Sequence, residues 1–245
     1  MTINRQHFVD GLTWDQVAQR LSNGASAILP AGSGCKQHGL HLPMGTDRLQ
    51  AEWFAAQLSA KIDALVWPTL TYGFYPAFSA YPGSLSVTSE TLAAVAGEIV
   101  DGLIRYGARR IFVLDTGLST NAPIAKALAA FQSPERVHHL KLYSGPRFLS
   151  AVNKLSQQSH GSHADEIETS IMLAIAADAV DMARAEASPH LSSGPQSGPL
   201  NRHDPSSANY SASGSFGDPL LASAEKGKKF VEAILEDLLE SIAKA

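Results

Sequence analysis

The chain has 245 residues, of which 44% are apolar, enough to bury one full-sized core; a single domain over 1–245 is expected. A net charge of −4 with scattered Lys and Arg argues against nucleic acid and against a membrane surface as partners. The apolar runs fall well short of the roughly 20 residues that cross a bilayer. The opening residues, Met1 to His7, lack the apolar core of a signal peptide, and the single cysteine, Cys35, forbids an internal disulfide. Both fit a reducing cytoplasm.

Short apolar runs alternate with longer amphipathic ones. In chain order the pattern predicts a helix over 13–21, a strand over 26–29, a helix over 47–60 and a strand over 64–67. A helix over 89–106, a strand over 110–115, a helix over 122–131 and a strand over 139–143 follow, then helices over 165–176 and 222–245. Ile111-Phe112-Val113-Leu114 is continuously hydrophobic, as expected of a strand covered by helices on both faces. The fold class is therefore α/β: a sandwich with a mostly parallel central sheet and right-handed crossovers. Ser188 to Pro219 breaks the rhythm, being rich in Ser, Gly, Pro and Asn. It is either a mobile surface excursion or a lid or oligomer contact, with Tyr210, Phe216 and Asp218 as its gripping residues. In 72–84, aromatics and turn formers alternate, as in a pocket wall or an irregular packed connection.

Ligands of α/β sheets bind beyond the carboxyl ends of the strands, and three polar clusters are expected to meet there. The first runs from Gly32 to Asp47 and holds Lys36, His38, His41 and Asp47. His38 and Asp47, on a glycine-rich loop, are suited to a divalent cation such as Zn²⁺ or Mn²⁺. Thr46 or Asp47 could instead cap the following helix, and His41 could orient its neighbours. Cys35 reads as a nucleophile or a buried thiol. Lys36, a cation beside a metal ligand, reads as a solvated surface residue, a desolvated base or a partner for a substrate carboxylate. The second cluster is Asp115 to Asn121. The third is His160 to Ser170, entering a helix whose buried stripe is Ile167, Ile171 and Ile175. Glu166 and Glu168 leave from the flanks of that stripe, so that one can reach a metal while the other acts on a proton.

These residues carry a resemblance. Gln37-His38-Gly39-Leu40-His41-Leu42-Pro43-Met44-Gly45-Thr46-Asp47, then Tyr81-Pro82-Gly83-Ser84, then His163 to Ser170 are similar, in order and spacing, to motifs of the creatininase (creatinine amidohydrolase) family. The resemblance implies a three-layer α/β/α sandwich and a metal-dependent hydrolase of cyclic amides and related C–N, C–O or C–C ring bonds, in which water of lowered pKa attacks a polarised carbonyl. It implies a small-molecule substrate, a homo-oligomer of hexameric type, and His38, Asp47 and Glu166 as metal ligands, Asp47 as the bridge between two ions. His163 and Glu168 are then the catalytic pair. Two departures stand out: Lys36 replaces the glutamate two residues before His38, and Leu118 replaces a ligating histidine. Both belong to one of the two metals, so one divalent ion (Zn or Mn) per chain is expected, and creatinine itself is disfavoured as the substrate. Asp115, at a strand's end, is a possible substitute ligand. The alternative is a metal-free or non-hydrolytic member that binds a small molecule through Lys36 and His163.

Overall fold

The computed structural model describes residues 4–131, 135–188 and 198–245. Four strands, β1 (Ser26–Ala31), β2 (Ala64–Val66), β3 (Ile111–Asp115) and β4 (Val137–Lys141), form one sheet in the order β2-β1-β3-β4. Every neighbouring pair is parallel. The helices are α1 (Trp14–Ser22), α2 (Thr46–Ser59), α3 (Ser89–Arg105), α4 (Asn121–Leu128), α5 (Pro146–Leu155), α6 (Glu166–Ile175) and α7 (Ala224–Ala243).

All residues of β1, β2 and β3 are buried, because helices cover both faces of the sheet. On one face Ile28, Val66, Phe112 and Leu114 meet Phe54 of α2, Phe148 of α5, Ile171 of α6 and Phe230 of α7. On the other Ala27, Leu29, Ile111 and Val113 meet Leu92 and Val100 of α3 and Ile124 of α4. The three-layer α/β/α sandwich follows directly. Among the described residues, no helix is long and apolar enough to cross a membrane.

Two differences from the expected elements bear on the site. The last strand begins at Val137 and ends at Lys141, two residues earlier than predicted, which leaves Tyr143 beyond its carboxyl end. Helix α5 was not expected. Its first turn is capped from a distance: the buried Asp237 of α7 accepts hydrogen bonds from the Arg147 and Phe148 N–H groups.

Part of 188–219 lies outside the described residues. The remainder is not a free excursion. Ser211, Ser213, Ser215 and Phe216 are buried, and the Phe216 N–H donates to the His163 carbonyl at 2.7 Å while the His163 N–H returns a bond of 3.2 Å. This segment forms one wall of the site.

Candidate metal centre

The loop after β1 is held by close backbone approach. A Cβ on Gly32 would lie 2.4 Å from the Asp47 carbonyl oxygen, so only glycine lets the start of α2 come this near the strand. Gly39 has φ +69°, and a Cβ there would meet Ser215 Oγ at 2.6 Å. Buried Gln37 locks the loop further. Its Nε2 donates to the Gly214 carbonyl at 2.9 Å, and its N–H donates to Ser84 Oγ at 3.0 Å.

His38 is fully buried, and its Nδ1 lies 2.8 Å from the Lys36 carbonyl. A carbonyl only accepts, so Nδ1 carries a proton. Nε2 then faces Asp47 Oδ1 at 3.0 Å and Glu168 Oε1 at 3.6 Å. One ring nitrogen turned on two carboxylates calls for positive charge between them, supplied by a second ring proton or by a cation.

His163 is oriented the same way. Its Nε2 donates to the Gln37 carbonyl at 2.8 Å, which leaves Nδ1 bare, 3.8 Å from Glu168 Oε2. Burial, reinforced by the nearby Lys36 ammonium, pushes the His163 pKa well below its ordinary value, so the ring is neutral. Glu168 Oε2 accepts the Ala164 N–H at 2.7 Å. Ala164 adopts φ +46°, a conformation costly for a residue with a Cβ, and strain of this kind collects at functional sites.

His38, His163 and Glu168 offer donor atoms that all lie within 4.8 Å of one another. The set fits a divalent ion: two imidazoles and a carboxylate, with both rings anchored through their other nitrogen to backbone carbonyls.

Asp47 stands beside this set without capping α2, whose N-cap is Gly45 with no side-chain bond. Its Oδ2 lies 2.8 Å from Lys36 Nζ. Burial opposes its ionisation, but the Lys36 ammonium and His38 overcome that and hold its carboxyl far below the usual carboxylate range. Lys36 is not a solvated surface lysine: it is buried, with its ammonium 5.2 Å from the centre of the Phe78 ring. A buried carboxylate drew it inward.

Glu166, expected among the ligands, does not join the cluster. Its carboxylate receives Ser156 Oγ, the N–H groups of Gln157 and Gln158, and the Lys226 ammonium. Those donors overcome the burial that would raise its pKa and hold it low. With every oxygen committed it pins α6 to α7, and Glu168, two residues further along the helix, is the carboxylate that faces His38 and His163. Asp165 is the N-cap of α6, accepting from the Ile167 and Glu168 N–H groups. His41 lies to one side, its Nε2 2.8 Å from Thr169 Oγ1, and burial lowers its pKa to about 4.

Asp115 turns away as well. It accepts from Gly117 N–H, Thr120 Oγ1 and His139 Nε2 at 3.0, 2.6 and 3.1 Å, so the second cluster supplies no ligand, and Leu118 is exposed. Cys35 Sγ lies 3.2 Å from the buried Tyr75 hydroxyl.

The cluster opens into a cavity of about 420 Å³ whose lining includes Lys36, Phe78, Tyr143, Phe148, His163, Glu168, Leu200 and Phe216. Tyr143 and Phe148 escaped the sequence reading. The signal for Tyr143 was its place just past a strand's carboxyl end. Burial, with Glu168 and Asp47 nearby, raises the Tyr143 pKa well above its usual value, so its hydroxyl stays protonated.

The family model for creatininase, described as creatinine amidohydrolase, matches residues 10–242. The chain is 25% identical over 258 residues to the creatinine amidohydrolase of Pseudomonas putida, covering 98% of this chain and 97% of that protein. It is 28% identical over 254 residues to the 3-dehydro-scyllo-inosose hydrolase of Thermotoga maritima, covering 95% and 81%. Among solved structures, a manganese creatininase superposes with a TM-score of 0.81 at 26% identity, covering 97% of this chain and 98% of that one.

Proposed function

The chain belongs to the creatininase family and is a hydrolase, and from that premise we propose that it cleaves a carbonyl–nitrogen or carbonyl–oxygen bond of a small molecule, a cyclic amide or related ring, with one divalent ion. The observation that carries this reading is the convergence of His38, His163 and Glu168, whose donor atoms lie within 4.8 Å of one another, with both rings anchored to carbonyls. Zn²⁺ or Mn²⁺ held there supplies Lewis acidity and a water of lowered pKa. The protein's own residues do the rest. The Lys36–Asp47 pair places a fixed ammonium beside the cluster, where it favours negative charge developing on a carbonyl oxygen. Tyr143, kept neutral, spends its hydroxyl proton on Gln50 Oε1 and stands as a fixed wall beside the cluster. The aromatic walls exclude water and strengthen the effect of the ammonium. We also propose a homo-oligomer, hexameric by the family resemblance, acting in the cytoplasm; sedimentation velocity and cell fractionation test these two points.

A second reading has its own support. Lys36 and a doubly protonated His38 would balance Asp47 and Glu168 without any metal, leaving a metal-free member that binds its ligand unaided. Elemental analysis separates the two. Protein incubated with Zn²⁺ or Mn²⁺ and freed of excess should retain about one ion per chain, and His38→Ala should reduce that to background. Less than about 0.2 ion per chain in the unaltered protein, with ligand binding indifferent to chelators, would establish the metal-free reading instead.

A further inference from the structure

The cavity beside the cluster is divided. At one end stand Lys36, His163, Glu168 and Tyr143; elsewhere its wall is largely apolar, formed by Phe78, Phe148, Ile167, Leu200 and Phe216. Phe78 lies against His163, with ring centroids 4.2 Å apart and planes tilted by 40°. It is thus shared between the cluster and the apolar wall. Phe216, Leu200 and Tyr81 form a small core of their own, with Phe78 packed against it, so this side of the wall stands apart from the two main cores, while Phe148 on the other side belongs to the first of them.

The charges are all accounted for at the polar end. Lys36 is paired with Asp47. Asp165, which also borders the cavity, spends its carboxylate on the first turn of α6 and on Gln158 Nε2. A ligand body lying against the aromatic wall therefore meets mainly rings and aliphatic carbons, and the remaining polar lining, such as Ser162 and Asn209, is uncharged. A volume of about 420 Å³ falls in the range of sites that enclose drug-sized molecules. A bare five-membered cyclic amide would cover little of the apolar wall and leave the rest of it against water.

We propose that the substrate of this site is an amide or ester with a flat, uncharged apolar body, seated between Phe78, Phe148 and Phe216 with its carbonyl at the His38–His163–Glu168 cluster. The inference rests on the metal-dependent reading, and it assigns the aromatic wall the task of selecting substrate by burial of that body. Aromatic side chains suit this because ring-on-ring contact adds to the area buried.

Two hydroxamates separate the inference from the reading beneath it, since they share a metal-chelating head and differ only in the body. Zinc-loaded protein is titrated calorimetrically with acetohydroxamate and with benzohydroxamate. The phenyl compound should bind about tenfold tighter or better, from the apolar area it buries. Leu200→Gln, checked for folding by thermal melting, should shrink that ratio toward one. Equal affinity of the two probes for the unaltered protein would overturn the inference and leave the metal centre standing. Binding of neither would overturn the metal-dependent reading, and this inference with it.

Discussion

The loops that leave β1 and β3 start side by side, since Ala31 and Asp115 are paired in register, and they use their charged residues in opposite ways. After β1, Lys36, His38 and Asp47 turn toward one another and toward Glu168 across the sheet's end. After β3, Asp115 folds back on its own loop, taking Gly117 N–H and Thr120 Oγ1, with His139 from β4 as the third donor. Thr116 turns inward as well, its Oγ1 donating to the Ala31 carbonyl and to the carbonyl of Asp47. What separates the two carboxylates is the supply of local donors. Asp115 is satisfied by its immediate neighbourhood, whereas Asp47 must be balanced by a side chain, and Lys36 fills that need.

The sharpest way to break this contrast is to remove the cation. Lys36→Met keeps the length of the side chain and leaves Asp47 buried without its ammonium. Removing one partner of a buried ion pair costs about 3–5 kcal/mol. In chelator, urea unfolding should therefore show a loss of that size. Added Zn²⁺ or Mn²⁺ should restore much of it, because a bound ion gives Asp47 a new neighbour and stabilises by mass action. An unchanged midpoint in chelator would mean that Lys36 is not what balances Asp47.

The β3 loop should respond differently. Asp115→Ala strips one acceptor from three donors, two of them side chains and one a backbone N–H. Unsatisfied buried donors cost about 1–3 kcal/mol each, partly relieved by relaxation. A stability loss of about 3 kcal/mol is expected, with metal content per chain unaltered. A fall in bound metal in this variant would place Asp115 in the site after all, and the distinction between the two loops would collapse.

Much of this was legible in the sequence because the signals were local. The continuous apolar run Ile111 to Leu114 marked a doubly covered strand, and the glycine-rich loop from Gly32 to Asp47 marked the site. What stayed hidden depends on partners far along the chain. Helix α5 carries Pro at its first position, a fair start signal, but its N-terminus is satisfied by Asp237, some ninety residues away. Glu166 and Glu168 look alike as flanking acids of one helix. The donors of Ser156, Gln157 and Gln158 on the incoming loop, together with Lys226 sixty residues on, tie up Glu166, while Glu168 faces the cluster. Lys36 reads as a surface residue because neither its pairing with Asp47 nor the Phe78 ring over its ammonium shows in a linear motif.

Asp165 offers a finer probe, since it lies at the junction of both behaviours: a capping carboxylate, satisfied locally, on the border of the cavity. Burial raises its pKa from 3.8 to about 6, against the pull of the Glu168 N–H and Gln158 bonds, with the Glu168 charge adding to the rise. The folded state therefore holds this proton more tightly than the unfolded chain does. Its contribution favours folding fully below about pH 4 and is lost as pH rises through about 6. Asp165→Asn removes the titration while keeping an equally good cap. Stability of the variant minus that of the unaltered protein, from urea unfolding, should rise by about 2–3 kcal/mol between pH 4 and pH 6.5. A flat difference would mean that the carboxylate ionises in the folded protein as readily as in water. Asp165 would then belong with Asp115, fully compensated by its own loop, and would add no destabilising charge beside Glu168.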